Sequence, residues 1–252
     1  MRQIELKDLL LPALILCLFG TDWLYLSLEI LFRTLTEHTQ ALWAHQIYSL
    51  LFRGYLSAQI VWAITMLGFA GLMAWLFHVT GHLEHMARPG RLDPAILAII
   101  ALFVAGDHAI SVVLIGLSSW LTGQDTPWLY QPGQEYILTM ELLPADILLG
   151  WFAAPISEEF LFRGVLFSIL LARGWRPMLT VFVCAALFAL THAQYQLLGL
   201  LIVFISGVLF GLLRLRSGGL LAPILCHALL NASITLMDVY ELVSEGDLSR
   251  SL

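Results

Sequence analysis

The sequence has 252 residues, of which 60% are hydrophobic and 12% are charged, about half the ~25% charged fraction of an ordinary soluble domain. Its mean hydropathy is +0.86. The 12 Lys and Arg residues are outnumbered by 18 Asp and Glu residues, which gives a net charge of −6. This composition indicates an integral membrane protein, and it excludes nucleic acid as a partner because the chain lacks the basic surface that phosphates require.

The first apolar stretch follows two basic residues, an arrangement that also occurs in signal peptides. The apolar character continues beyond residue 19 as far as residue 32, and no A-x-A cleavage site is evident. We therefore expect an uncleaved first helix.

Seven stretches contain the ~20 mostly apolar residues that a membrane-spanning helix needs. In chain order they are residues 9–32, 56–80, 95–121, 142–171, 178–193, 197–213 and 220–240. They predict an all-α fold, a polytopic transmembrane bundle of about seven spans. Residues 34–52 mix Trp, Tyr and His with apolar residues, which suits a helix in the membrane interface, and an eighth span there stays open.

The distribution of basic residues predicts the orientation of the spans. Eight of the 12 Lys and Arg residues fall on the side of the N-terminus: Arg2, Lys7, Arg88, Arg91, Arg173, Arg176, Arg214 and Arg216. The loop at residues 122–134, on the opposite side, has none. Seven spans then place the N-terminus in the cytoplasm and the C-terminus outside, whereas an eighth span would move the N-terminus outside.

The fourth apolar stretch contains ionisable residues at a depth where each costs several kcal/mol unless it is paired or faces a wet cavity. Glu159 and Arg163 are four residues apart with the acid first, which favours a helical ion pair. Glu158 is rotated by ~100° from its neighbour and has no such partner. Pro155 removes a helix hydrogen bond just before the pair and should bend or open the helix there.

Two further apolar stretches each carry a histidine with a second side chain on the same helical face. His192 follows Phe188 by four residues, and Asn231 follows His227 by four. At ~1.5 Å per residue, these side chains and Glu158 lie roughly 12–22 Å from the nearest predicted cytoplasmic loop. We therefore expect them to share one buried cavity.

The order Glu158-Glu159-x-x-x-Arg163, Phe188-x-x-x-His192 and His227-x-x-x-Asn231 resembles the three-motif signature of the CPBP family. This family comprises the type II CAAX prenyl endopeptidases and bacteriocin-processing enzymes, also called ABI proteins. The segment Phe204-x-x-Gly207-x-x-x-Gly211 is similar to a glycine-bearing helix of the same family, and its spacing permits close helix contact.

The resemblance implies a division of the chain into three parts. Residues 142–240 would form the CPBP-like catalytic core, residues 1–141 are transmembrane helices without a family signal, and residues 241–252 are a polar tail.

The resemblance also implies an intramembrane endopeptidase that hydrolyses a membrane-associated protein or peptide. It places six residues in the catalytic site: Glu158, Glu159, Arg163, His192, His227 and Asn231. In the family's mechanism the first glutamate is the general base for a water held between it and the first histidine. The second histidine and the asparagine donate hydrogen bonds to the oxyanion, and the second glutamate, paired with the arginine, holds the geometry.

No cofactor is expected, although a zinc ion held by Glu158, His192 and His227 is an alternative, since this set matches catalytic zinc ligands. Against zinc, the HExxH motif is absent and Asn would be an unusual ligand. Ser157 and Ser206 lack the GxSxG setting of a nucleophilic serine.

The expected partners are a membrane-associated substrate, prenylated or not, and the lipid bilayer. Helical spans indicate a cytoplasmic membrane, and we expect the inner membrane of a bacterium. The alternative function is a non-hydrolytic transporter or binding and immunity factor that uses the same buried polar site. A transporter would more readily show two related halves with broken helices, and no such repeat is evident.

Four other ionisable residues in the predicted spans have no role in this scheme. Asp107 and His108 are interpreted as structural or cavity-lining groups. Asp22 and Glu29, seven residues apart on one face of the first helix, border a cavity or pair with a neighbouring span, and the sequence does not decide between these two interpretations.

Overall fold

The computed structural model describes residues 5–39, 42–123 and 138–244, and these residues form helices and connecting turns without a strand. The α-helices are α1 (Leu10–Thr39), α2 (Leu42–Tyr48), α3 (Tyr55–Val79), α4 (Leu83–Met86), α5 (Pro94–Thr122), α6 (Leu143–Asp146), α7 (Ala154–Glu159), α8 (Phe167–Ala172), α9 (Pro177–Leu190), α10 (Leu197–Ser217) and α11 (Leu221–Ser244). Three π-helical segments are π1 (Ser49–Arg53), π2 (Ile147–Ala153) and π3 (Phe160–Leu166). The all-α prediction is confirmed for these residues. Most of the predicted loop at 122–134, and the tail beyond Ser244, lie outside them.

Five of the described helices are long and apolar enough to cross a membrane. They are Leu6–His38, Tyr55–Val79, Pro94–Thr122, Leu197–Ser217 and Leu221–Ser244. Large apolar side chains on their outer faces are exposed, which suits contact with lipid. The chain is therefore an integral membrane protein.

Two of the seven predicted spans do not form long regular helices, so the count of seven is not confirmed. Helix α9, predicted at residues 178–193, has 14 residues and is ~21 Å long, shorter than a ~30 Å hydrocarbon core. The stretch predicted at residues 142–171 is helical from Leu143 to Ala172 but is divided into five short segments. Within residues 34–52, where the sequence leaves an eighth span open, helix α1 continues to Thr39 and is followed by the short helix α2.

The division of the Leu143–Ala172 stretch follows from its sequence. Pro155 has no N–H to donate, and its ring would collide with the carbonyl group four residues earlier in a regular α-helix. The wider turns of π2 directly precede this proline, and the N–H of Ala154 bonds to the carbonyl of Leu149, five residues back. The bend expected at Pro155 is therefore a π-helical distortion, a feature that often accompanies functional sites.

Helix α10 packs closely against α9 through glycines. A Cβ atom at Gly207 would lie 3.1 Å from Ala185 Cβ, and one at Gly211 would lie 3.0 Å from Val181 Cγ1. The small-xxx-small spacing thus has the predicted effect, because it lets the two backbones approach.

A backbone crossing joins the N-terminal helices to the C-terminal part of the chain. The N–H of Arg91 donates to the carbonyl of Ser217 at 2.9 Å, and the N–H of Leu220 donates to the carbonyl of Arg88 at 2.8 Å. Gly90 has φ +77° and lies against Gly219 so closely that neither position has room for a side chain. This crossing fixes the connection between α4 and α5 against the turn between α10 and α11.

Because Gly211 is a contact point, we expect Gly211→Leu to lower the free energy of unfolding by about 1–3 kcal/mol through overpacking against Val181. Unfolding of the full chain in detergent micelles measures this. Gly116→Leu is the control, because a Cβ there meets nothing within 4 Å. Equal stability of the two variants would contradict the packing role of Gly211.

Candidate active site

A fully buried ion pair lies at the junction of α7 and π3. Arg163 donates from Nη1 to Glu159 Oε1 at 2.9 Å, and both side chains are 0% exposed. Arg163 also donates from Nη2 to the carbonyl of Gly207 on α10 at 2.9 Å. Its guanidinium lies over the rings of Phe188 at 4.5 Å and Phe210 at 5.3 Å. The ion pair expected from the sequence spacing therefore forms, and it connects three helical elements.

His227 of α11 lies between the two adjacent glutamates. Its Nδ1 is 3.0 Å from Glu159 Oε1, and its Nε2 is 3.9 Å from Glu158 Oε2. The ring of Phe210 stacks on the imidazole with 4.7 Å between ring centroids and 17° between planes. An ionised Glu159 can only accept a hydrogen bond, so Nδ1 carries the hydrogen and Nε2 points toward Glu158.

Glu158 differs from its neighbour because its side chain is 20% exposed. It borders a cavity of about 260 Å³ that His192 also borders. Helix α1 contributes Thr21 and Asp22 to this cavity, and α3 contributes Trp62. The 3.9 Å separation from His227 is too long for a direct hydrogen bond, so the carboxylate stays available to groups in the cavity.

His192 lies just beyond the end of α9, whereas the apolar pattern of residues 178–193 predicts a helix that would include it. The helix ends at Leu190, where Thr191 Oγ1 donates to the carbonyl of Phe188 at 2.7 Å. His192 Nδ1 lies 3.0 Å from the same carbonyl. A carbonyl only accepts, so Nδ1 donates to it and Nε2 of the neutral ring remains an acceptor.

Asn231 occupies the next turn of α11 after His227, but its amide is directed to a different partner. Its Nδ2 donates to the carbonyl of Gly150, in π2, at 2.8 Å. It is not among the residues that border the cavity next to Glu158. The structure thus joins Glu159, Arg163 and His227 directly. It places Glu158 3.9 Å from His227 and at the same cavity as His192, and it holds Asn231 against π2.

Several contacts at this site carry no recognisable motif. The ring of Phe210 and the carbonyl group of Gly150 contact the predicted residues. Arg214 Nε donates to the carbonyl of Arg163 at 3.0 Å. Backbone acceptors and an aromatic residue in an apolar helix look like ordinary core in a sequence, so only the three-dimensional arrangement identifies them.

Two further polar contacts link helices outside the cavity. Ser206 of α10 donates to Asp107 of α5 at 2.6 Å, and His108 lies 2.6 Å from Ser233 Oγ on α11. Asp107 and His108 are thus structural links between helices, one of the two interpretations of the sequence.

The zinc alternative needs Glu158, His192 and His227 to converge on one point. Within the residues that the structure describes, no group of three or more His, Cys, Asp or Glu side chains is arranged to hold a metal ion. The bonds from Nδ1 of His227 and Nδ1 of His192 leave Nε2 of each ring unused, but the three candidate ligands are not arranged around one point as these side chains stand.

Comparison with known proteins supports the resemblance found in the motifs. Residues 140–233, which contain all six candidate residues, match the family model of the type II CAAX prenyl endopeptidase Rce1-like proteins. An uncharacterized 24.3 kDa protein of Escherichia coli is 34% identical over 125 residues, which are 47% of this chain and 56% of that protein. The chain thus spans about half the length of the curated relative that it matches. No solved structure matches.

The buried ion pair predicts a large effect of removing one partner. Arg163→Met leaves Glu159 buried without its compensating charge, so we expect the free energy of unfolding in detergent to fall by about 3–5 kcal/mol. The double variant Glu159→Leu/Arg163→Met should recover most of this loss.

Arg33→Met is the matched control, because the ion pair of Arg33 with Glu37 is exposed and contributes about 0–1 kcal/mol. If Arg163→Met and Arg33→Met unfold alike, the buried pair does not stabilise the fold as described.

Proposed function

We propose that the Rce1-like region at residues 140–233 makes this chain an intramembrane endopeptidase with Glu158 as its general base. The observation that carries the proposal is the contrast between two adjacent carboxylates. Glu159 is fully buried and paired with Arg163, whereas Glu158 is partly exposed and faces a cavity. A protease needs such a base near the substrate, held on a rigid support.

Peptide hydrolysis begins with a water molecule in this cavity. The water donates one hydrogen to Glu158 and the other to Nε2 of His192, which is free to accept because Nδ1 bonds to the carbonyl of Phe188. As the water oxygen bonds to the scissile carbonyl carbon, its proton passes to the Glu158 carboxylate. This proton then moves to the amine nitrogen as the C–N bond breaks, which leaves a new carboxyl end and a free amine.

The negative charge on the tetrahedral intermediate requires hydrogen-bond donors. His227 presents Nε2 toward Glu158, and to donate from there while Nδ1 donates to Glu159 its ring must carry both protons. The Glu159 carboxylate stabilises that charged ring. Asn231 uses one amide hydrogen for Gly150, and in this proposal its second amide hydrogen serves an oxyanion that lies beyond the border of the cavity, on the side of His227.

The substrate in this proposal is a membrane-associated protein or peptide, prenylated or not. Helices α1 and α3, both long enough to span a membrane, form part of the cavity wall. A peptide segment that reaches Glu158 must therefore pass among membrane helices. The chain would reside in the inner membrane of a bacterium, with its N-terminus in the cytoplasm.

The alternative, a transporter or a binding and immunity factor, has no specific observation in its favour. It nevertheless makes a different prediction, because a non-hydrolytic protein would leave the termini of membrane peptides unchanged.

We expect Glu158→Gln to lower peptide cleavage by about 10²–10⁴-fold, because glutamine keeps the shape of the side chain but cannot take the proton. Mass spectrometry detects the new peptide termini that cleavage creates, and it compares membrane peptides from cells with the native chain and cells with the variant. Glu241→Gln, a charge-matched change near the end of α11, is the control. Identical peptide profiles from equally abundant native and Glu158→Gln proteins, in cells where the native chain is functional, would favour the non-hydrolytic alternative.

The proposed oxyanion role of Asn231 predicts a specific kinetic change. Asn231→Ala should lower kcat by about 10²–10³-fold with little change in KM, because the lost hydrogen bond acts mainly in the transition state. Steady-state kinetics on a peptide identified in the mass spectra measure this.

Thr235→Val is the matched control, since Thr235 also ties α11 to the segment near π2 by donating to Asp146 at 2.6 Å. The control should lose stability and keep kcat. If both variants lose only stability, Asn231 serves as an anchor for π2 and not as an oxyanion donor.

A further inference from the structure

The cavity next to Glu158 contains a second carboxylate that the proposed mechanism does not use. Asp22 of α1 borders this cavity, and it lies at the middle of the candidate span Leu6–His38. An ionisable residue at the centre of a membrane span is costly unless it faces water or a partner. The sequence left the placement of Asp22 open, and the structure places it at the cavity.

Two tight contacts of α1 constrain the position of Asp22. Cys17 Sγ donates to the carbonyl of Leu161, in π3, at 3.3 Å. Gly20 lies against the ring of Phe69 on α3 so closely that any side chain at residue 20 would collide with it. Asp22 follows one half-turn later, so these contacts determine which way this part of α1 faces.

The cavity has an excess of negative groups. Asp22 and Glu158 both border it, and none of the described residues that border it is Lys or Arg. Arg163 is already bonded to Glu159 and to the carbonyl of Gly207. Asp22 forms no ion pair with any of the residues that the structure describes. Glu158 faces His227, which is cationic in the proposed mechanism, so the carboxylate of Asp22 is the group left to attract a cation at this cavity.

The size and walls of the cavity limit what this cation can be. A volume of about 260 Å³ is slightly below the ~300–1,000 Å³ of pockets for drug-sized ligands, so it suits part of a peptide. Trp62 of α3 supplies an aromatic ring to the same wall, and aromatic faces attract ammonium and guanidinium groups.

We propose that Asp22 is a specificity-determining residue that selects peptides with a Lys or Arg side chain close to the scissile bond. The inference rests on the proposed endopeptidase function. The cationic side chain donates hydrogen bonds to the Asp22 carboxylate and lies beside Trp62, while Glu158 acts on the adjacent peptide bond. Because α1 lies outside residues 140–233, this selectivity comes from a part of the chain that the family match does not include.

The test uses the purified full chain in lipid nanodiscs and a mixture of membrane-derived peptides, with new termini identified by mass spectrometry. We expect Lys and Arg to be enriched within a few residues of the bonds that the native chain cuts. Asp22→Asn should remove the enrichment and still cut, and Asp22→Lys should favour acidic residues instead. Glu29→Gln, the same change of charge on the same helix at a residue that does not border the cavity, should keep the native preference.

Two synthetic peptides that differ only by Lys or Gln at the enriched position give the magnitude of the preference for a basic residue. The native chain should prefer the Lys peptide by about tenfold or more in kcat/KM, and Asp22→Asn should lose this preference.

Three outcomes would overturn the inference. Cleavage by the native chain without a basic preference rejects the role of Asp22 and leaves the protease proposal intact. An equal loss of kcat/KM for both peptides in Asp22→Asn shows that Asp22 acts on the chemistry or the fold instead of on selection. No new termini from the native chain, with Glu158→Gln indistinguishable from it, rejects the protease proposal and this inference with it.

Discussion

The arrangement of the site depends on how the charge of Glu159 is compensated inside a membrane protein. Glu159 Oε1 accepts hydrogen bonds from Arg163 and His227, which come from different helical elements. Arg163 in turn bonds to the backbone of α10 and lies over two aromatic rings. Burying a carboxylate without such partners would cost several kcal/mol, so π3, α10 and α11 must all be in place together. The position of Glu158 follows from this, because it is the residue immediately before Glu159 in the same helix.

The two neighbouring glutamates illustrate how one helix can enclose one carboxylate and present the next one to a cavity. Residues next to each other in a helix point about 100° apart, so one side chain can be fully enclosed while the other reaches a cavity. Glu159 is enclosed by Arg163 and His227, whereas Glu158 keeps its carboxylate available to the cavity. His227 connects the two, since its ring nitrogens face one carboxylate each. Rigid support of this kind is what a general base requires to act on a substrate in a defined position.

Features set by spacing along one helix were predictable from the sequence, and features set by contacts between distant segments were not. The Glu159–Arg163 pair and the close approach at Gly207 and Gly211 follow from four-residue spacing. The stacking of Phe210 on His227 and the bond from Asn231 to Gly150 join segments far apart in sequence. The count of seven spans is not confirmed for a related reason: hydropathy measures apolar content, and it does not detect the π-helical turns near Pro155 or the end of α9 at Leu190.

The backbone crossing at Gly90 and Gly219 has a consequence for the order in which the protein is made. The two glycines are 129 residues apart in the sequence. Bringing together the ends of so long a segment is slow compared with forming local helices. The N-terminal helices leave the ribosome first, but the turn that anchors α4 and α5 is synthesised only after α10. His227 arrives later still, in α11. A nascent chain therefore contains both glutamates before His227, and the contacts around Glu159 are complete only after synthesis has passed the last of the described helices.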